Sequence, residues 1–527
     1  MPQIVILLRA GSVLGIPRVQ LQDVTKIVCN RINSDGLEQF LVVWAGKYER
    51  HSVPLSWHSI NELSSCLELV QEYLDNKTRF DPPSRKRKSP DSEPSTNGHL
   101  LNPAERRVRQ KSRSSSVTSS ASDSSRSLAV TELASRDIDV YNGVIQVKDD
   151  FITVKASTEP GIDRINSDDV PTPAMLSRAR SSATSTADDR IRMEVIHRLR
   201  QLPGPPVTLF NKIDRSSPPL KFQFITQSIL REGVEKADPA TMTGCQKCRP
   251  HMGQNIGCEY TKKCDCLEYA AVDVKRLNDV TKPIYDKYIA GMDVDLSQLP
   301  KRFPYFSNGD NTGCLVPFYL NERHPIYECN KYCMCGPGCK NRIVQHGRQV
   351  DLVIFKTKDR GWGLKSTQGL RQGQFIDTYR GEIITDAEAT RREKATSSIL
   401  NSYLYSLDKF AEENELKPED LYVVDGEYFG GPTRFMNHSC EPNCRQYTVS
   451  YNKHDVRVYE IAFFAYRNIE PGEELTFDYL DKDEEEEDEV EEDAPPPSQE
   501  KPGDAQGETK LVKCLCGAKK CRKWLWM

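Results

Sequence analysis

Cysteine is nearly missing from the first 244 residues of this chain: Cys29 and Cys66 stand alone there, and the other fifteen lie beyond. Long apolar runs are missing too. None approaches the ~20 residues of a membrane helix. The opening MPQIVILLRAGS meets Arg9 after five apolar residues, with no basic segment ahead of them. Neither a membrane span nor a secretory signal is expected. Apolar residues are 37% of the chain and aromatics 8%, too few for a polypeptide packed end to end. Solvated stretches between compact modules are expected, and 527 residues leave room for two or three domains at roughly 100–200 residues each.

The cysteines that are present fall mostly into C-x-C and C-x-x-C pairs. Cysteines one or two residues apart close a strained ring if they bond each other, yet they suit one tetrahedral metal. Disulfides are the alternative and belong to oxidising compartments. The pattern reads as zinc ligands.

Along the chain, TKIVCNR and QFLVVWAG are β-rich runs separated by the turn residues NSDG, a hairpin signal. A helix is expected over SINELSSCLELVQEYL. Ser59 and Glu62 form a capping-box pattern at its start, and Ile60, Leu63, Leu67, Val70 and Leu74 make one apolar face. From 78 to 190 the chain turns serine-rich and is read as disordered, with DVYNGVIQVKDDFITVKAS a strand pair within it. Arg85, Lys86, Arg87 and Lys88 fit nuclear import, nucleic-acid contact or a solvated charge run.

The first cysteine field comprises Cys245, Cys248, Cys258, Cys264 and Cys266, then Cys329, Cys333, Cys335 and Cys339 in YECNKYCMCGPGCKN. Three tetrahedral zincs need twelve bonds, which nine thiolates supply if three of them bridge two metals each. Arithmetic allows this cluster without proving it. The array, followed by NRIVQ, resembles the pre-SET region of the heterochromatin, or suppressor-of-variegation, class of histone methyltransferases, which holds a triangular three-zinc cluster. Cys314 falls outside the pattern and reads as a buried thiol.

Four motifs follow in fixed order: RGWG at 360–363, YRGEIIT at 379–385, RFMNHSCEPN at 434–443 and GEELTFDY at 472–479. Singly each is weak. Together, flanked by zinc-ligand pairs, they resemble the SET domain from about 350 to 527. That resemblance implies methyl transfer from S-adenosylmethionine to a lysine. A free lysine has a pKa near ~10.4 and is an ammonium at neutral pH. Enclosure in an apolar channel beside a sulfonium lowers that pKa, and aiming the lone pair is then the main catalytic task.

By the same resemblance Tyr479 is the active-site tyrosine, and Tyr403 lines both cofactor and channel. Gly361, Trp362 and Gly363 form the turn against the cofactor. Asn437 and His438, with Arg434 beside them, bind it from the NHSC segment. Phe477 stands at the family's phenylalanine/tyrosine switch; phenylalanine leaves room for a second and third methyl, so di- and trimethylation are expected.

The tail KCLCGAKKCRKWLWM offers Cys514, Cys516 and Cys521, three ligands without a fourth. In the resembling family the fourth is the NHSC cysteine, here Cys440, which pins the tail over the cofactor site. Leu515, Trp524 and Trp526 are then available to finish its wall. The intervening loop carries 11 acidic residues over 481–493 and reads as a solvated insertion or as a regulator at the channel mouth, with Lys482, Lys501 or Lys510 as a pseudo-substrate. At the other end, residues 20–77 resemble a chromodomain, a reader of methylated lysine. Trp44 occupies one expected cage position, whereas Gln22 and Lys47 stand where the family has aromatics.

The expected architecture is multidomain. An N-terminal segment (1–19) precedes a small α+β chromodomain-like module (20–77), a disordered linker (78–190) and a helical and extended lead-in (191–240). A pre-SET zinc-cluster region (241–345), a mainly β SET fold (346–480), an acidic disordered loop (481–509) and a post-SET zinc tail (510–527) follow. The expected ligands are S-adenosylmethionine and zinc, three ions in the first cluster and one in the second. The implied partners are the histone H3 tail, nucleosomes and heterochromatin proteins, with the ninth-position lysine as target. No membrane contact and no sequence-specific reading of DNA is expected, and the implied location is chromatin in the nucleus. A non-histone substrate and a catalytically silent zinc scaffold remain the alternatives.

Overall fold

The computed structural model describes residues 22, 24–33, 35–45, 55–80, 171, 173–249, 258, 267–395, 403–480 and 512–525, and the strands Val5–Leu7, Ile145–Lys148 and Phe151–Val154. The basic cluster 85–88, Lys47, Tyr48, Cys264, Cys266, the acidic loop and Trp526 lie outside these residues. The chain divides into two units, Met1–Ile191 and Arg192–Met527.

In the first unit the two β-rich runs form the expected hairpin. Val24–Ile32 pairs antiparallel with Glu38–Trp44, which pairs in turn with Leu55–Ser59. The Asn33 carboxamide oxygen accepts the amides of Asp35 (3.0 Å) and Leu37 (2.8 Å), and Gly36 takes a φ of 78°. That left-handed conformation is why glycine ends NSDG. Cys29, Leu41 and Trp57 face inward.

Ser59 and Glu62 do make the capping-box contacts (Ser59 amide to Glu62, 2.7 Å), but they close a turn, and the helix starts at Leu67 and ends at Phe80. Ile60, Leu63, Leu67, Val70 and Leu74 are all buried, so the apolar spacing marked the face correctly while the helix start lies later.

The stretch read as disordered contains three further features. Ile145–Lys148 and Phe151–Val154 pair, as the sequence suggested, and Val5–Leu7 adds to them. Beyond 171 it is helical, at Pro173–Ser181 and Ser185–Arg200. Met175 and Ala179 bury against Cys29, Leu41 and Trp57. The Glu38 carboxylate accepts the amides of Thr186 (2.7 Å) and Ala187 (2.9 Å), capping the second helix from a strand 149 residues away.

The second unit is built from short sheets. One runs Ile326–Tyr327, Cys444–Ser450, Glu460–Ala465, Phe375–Tyr379; another Asn437–His438, Glu474–Phe477, Trp362–Lys365, Leu352–Lys356, Val207–Phe210; a third Leu404–Ser406, Tyr422–Asp425, Glu382–Thr385, Ile229–Leu230. The lead-in adds parallel edge strands to two of these, and Gln223–Phe224 pairs with Phe429–Gly430 in a fourth. The cysteine-rich region is fused to this β core. Tyr305, Leu315, Tyr319 and Leu320 share one buried cluster with Phe375, Tyr447 and Phe464, where each large side chain contributes roughly 1.5–3 kcal/mol. Glu328 accepts the Tyr305 hydroxyl (2.8 Å) and the amides of Ile343 (2.7 Å) and Val344 (2.8 Å), so its buried charge is satisfied.

Candidate active site

Two distant segments meet at the centre of the second unit. Asn437–His438 lies parallel to Glu474–Phe477, with Asn437 opposite Thr476 and His438 opposite Phe477. Asn437 donates its carboxamide to the Trp362 carbonyl (3.2 Å) and to Glu474 (2.8 Å), and the other Glu474 oxygen pairs with Arg360. The 360–363 turn is thereby fastened to both segments. Gly361 has a φ of 70°, and its carbonyl accepts the Thr357 amide (2.8 Å) and hydroxyl (3.0 Å).

His438 is the hub of this arrangement. Its Nδ1 accepts the Tyr479 amide (3.2 Å), which leaves the proton on Nε2, 3.3 Å from the Cys440 sulfur. Burial depresses its pKa to about 4, against the pull of Asp478, so the ring is neutral. Tyr479 then reaches forward to give its hydroxyl proton to the Met436 carbonyl (2.8 Å). The residue is 36% exposed, and burial of the phenol raises its pKa, with Tyr403 adding to the rise. Phe477 is packed between the rings of Phe463 and Tyr479, both at 4.8 Å.

The opposite wall comes from Tyr403 and Arg434. The Tyr403 carbonyl accepts the Tyr379 hydroxyl (2.7 Å) and the Gly426 amide (3.0 Å). A Cβ on Gly426 would meet the Tyr379 oxygen at 2.5 Å, so glycine is required there. Arg434 lies 4.0 Å above the Tyr403 ring and 4.8 Å from Phe222, with Nε on the Gly426 carbonyl (3.1 Å). Behind this wall, Arg392 pairs with Asp425 (2.7 Å) and Glu382 (2.8 Å), and Glu382 also pairs with Arg231.

These groups enclose a cleft of about 670 Å³ lined by Gly361, Trp362, Tyr403, Arg434, Asn437, His438, Phe477 and Tyr479. Gly363 does not line it. A Cβ there would strike Glu474 and the Phe355 ring, so that glycine serves strand packing. Tyr379, Phe222, Arg360 and Glu474 were missed as site residues. Tyr379 and Arg360 sit inside motifs already singled out, and nothing local marks Phe222.

The tail closes one side of the cleft with Val512, Leu515 and Leu525. Trp524 instead pairs with Lys513. The sulfurs of Cys440, Cys514, Cys516 and Cys521 lie within 4.8 Å of one another. A tetrahedral zinc with bonds of about 2.3 Å places its sulfurs about 3.8 Å apart. Amides of Arg522, Ala518 and Lys523 point at three of them, at 3.3–3.5 Å. Burial pushes Cys440 up to about 11, while Cys516 falls to about 7 despite its burial. Four such thiols ionise together only around a cation, so the donor set fits zinc. In the first field, Cys258, Cys329, Cys335 and Cys339 form a like quartet. Cys248 is 3.5 Å from Cys258 and 3.6 Å from Cys245, so Cys258 touches both halves as a bridging thiolate must. Cys333 packs against the same cluster.

The SET-domain family model matches residues 361–480, and the Pre-SET motif model matches 199–342. The H3 lysine-9 specific histone-lysine N-methyltransferase KMT1 of Fusarium mangiferae is 38% identical over 330 residues, covering 61% of this chain and 88% of that one. The chain belongs to the SET-domain histone-lysine N-methyltransferases. The H3 lysine-9 specific enzyme dim-5 of Neurospora crassa is 38% identical over 327 residues, 88% of its length. A solved structure of that Neurospora SET-domain protein is similar with a TM-score of 0.44 at 38% identity, covering 53% of this chain and 96% of that one.

Proposed function

We propose that this methyltransferase acts on the lysine at position nine of the histone H3 tail, on chromatin in the nucleus, with S-adenosylmethionine as methyl donor. The observation carrying this reading is the convergence of Tyr479, Tyr403, Phe477 and the Gly361 turn on one cleft, in a chain similar to enzymes named for that lysine. S-adenosylmethionine supplies an electrophilic methyl when bound. Gly361, Trp362, Arg434 and Asn437 hold and orient that ligand. The rings of Tyr403, Phe477 and Tyr379 exclude water from the incoming lysine and favour its neutral form. The Tyr479 hydroxyl, its proton committed to Met436, keeps lone pairs free to accept an N–H of the substrate amine and aim the nitrogen. No side chain carrying a proton away is required if the lysine arrives neutral.

Phe477 has no hydroxyl to anchor a water in the channel, which favours di- and trimethylation. Four zinc ions fit the donor sets: three in the field of Cys245, Cys248, Cys258, Cys264, Cys266, Cys329, Cys333, Cys335 and Cys339, and one at Cys440. The three-stranded sheet and helix of the first unit support the chromodomain reading, with Trp44 at the end of its strand as a reader of methylated lysine. Mass spectrometry of H3 tail peptides tests the target: product from the natural peptide, and none when the ninth lysine is arginine, is expected. Equal product from both peptides would contradict it.

A further inference from the structure

The outer edge of the five-stranded sheet carries charge that methyl transfer does not use. Phe210 ends the edge strand Val207–Phe210 and is 41% exposed. Two ammonium groups share its ring, Lys212 at 5.2 Å and Lys365 at 5.3 Å, and Lys365 also lies 4.9 Å from the Phe355 ring. The sheet register explains the grouping. Phe210 pairs with Phe355, Phe355 with Gly363, and Lys365 follows Gly363 by two residues, so all four share one face. Gly363 leaves space that the Phe355 ring occupies, as shown by the 2.9 Å approach of a Cβ built there.

Among the described residues, neither ammonium has a carboxylate partner. Lys365 stands opposite Glu474, whose oxygens are taken by Arg360 and Asn437. Asp214 is engaged by Lys356, Asn211 and Ser216. Asn211 accepts the amides of Ile213 and Asp214 and holds the 211–216 loop, so Lys212 is presented by a fixed turn. Exposed Arg215 and Lys358 add charge on the adjoining loops, with Asp359 beside Lys358. Like charges held together at a ring cost energy in the free protein, and an anionic partner relieves it.

We infer that this edge is a docking surface for the phosphate backbone of double-stranded DNA in the enzyme's chromatin substrate. Lys212 and Lys365 are its central contacts. This rests on the chromatin reading above, although DNA binding can be measured without methyl transfer. Two ammoniums sit over the Phe210 ring and compete with any base for it. What projects outward is spaced positive charge, which suits successive phosphates and carries no sequence information.

The test uses the full-length, zinc-replete protein and its Lys212→Ala/Lys365→Ala double variant, with fluorescence anisotropy of a labelled random-sequence duplex across a salt series. Each lost phosphate contact lowers the slope of log K against log salt by about 0.9, so the variant should lose about 1.8. It should also show a several-fold higher KM on nucleosomes, with rates on free H3 peptide unchanged. An unchanged slope together with an unchanged nucleosome KM would overturn the inference. So would tighter binding of single-stranded oligonucleotide than of duplex, because stacking would then be the mode. Loss of peptide activity in both proteins would count against the functional reading and leave the duplex slope to decide this one.

Discussion

Tyr479 is aimed by its neighbours. Its amide rests on His438 Nδ1 and its hydroxyl on the Met436 carbonyl, so the ring is held at both ends by the segment 436–438. That segment is fixed in turn by Asn437 reaching Trp362 and Glu474. Beside it, Phe477 packs between the rings of Phe463 and Tyr479. Phe477→Tyr should place a hydroxyl in the channel and stop the reaction after one methyl. Mass spectrometry of peptide incubated with excess methyl donor reads this directly, and trimethyl product from the variant would contradict the assigned role. Tyr479, Tyr403 and Phe477 are named by family resemblance, and the structure places all three on one cleft. The partners of His438 could not be read from the sequence, because no local rule says that an imidazole will join a tyrosine amide to a cysteine 41 and two residues away.

At the scale of elements, the tail and the NHSC segment depend on one another. Cys440 contributes one sulfur and the tail three, while Leu515 and Leu525 line the cleft. Besides the sulfurs, the tail is tied to the core by Arg522 on Asp478 (2.6 Å) and by Glu441 on the Lys519 amide (2.7 Å). Such part-exposed contacts hold it weakly. Cys516→Ser should therefore reduce activity at least 100-fold, with circular dichroism showing the core still folded. A variant with full activity would separate the tail from the chemistry. The C-x-C-x4-C spacing made the incomplete site legible, and its fourth ligand came only by family resemblance. Helix boundaries were less legible. The Ser59–Glu62 box has its side-chain contacts, yet seven residues separate Ser59 from Leu67, where the helix begins, because a box satisfies amides in a turn as readily as in a helix.

For the whole molecule, the lead-in is part of the catalytic unit. Val207–Phe210, Gln223–Phe224 and Ile229–Leu230 each extend a sheet, and Phe222 stands under Arg434 at the cleft wall. Strands of two to four residues that pair with partners over 140 positions away have no periodicity to betray them, so the sequence showed only a proline-broken extended stretch. The same holds for Pro173–Ser181, whose serine and arginine content masks two inward residues, Met175 and Ala179. A chain beginning at residue 232 should expose the Leu352–Lys356 edge, aggregate on expression and lack activity. A chain beginning at 185 keeps all three strands and should methylate free peptide at the full-length rate. Equal activity from both truncations would show the lead-in to be dispensable.

The central claim is that this cleft methylates the ninth lysine of the H3 tail with Tyr479 aiming the amine. Transfer from labelled S-adenosylmethionine to an H3 tail peptide should be robust with the wild type and fall by on the order of 100-fold or more with Tyr479→Phe. It should vanish when the ninth lysine is replaced. Undiminished transfer by Tyr479→Phe, or transfer to the peptide lacking that lysine, would contradict the account.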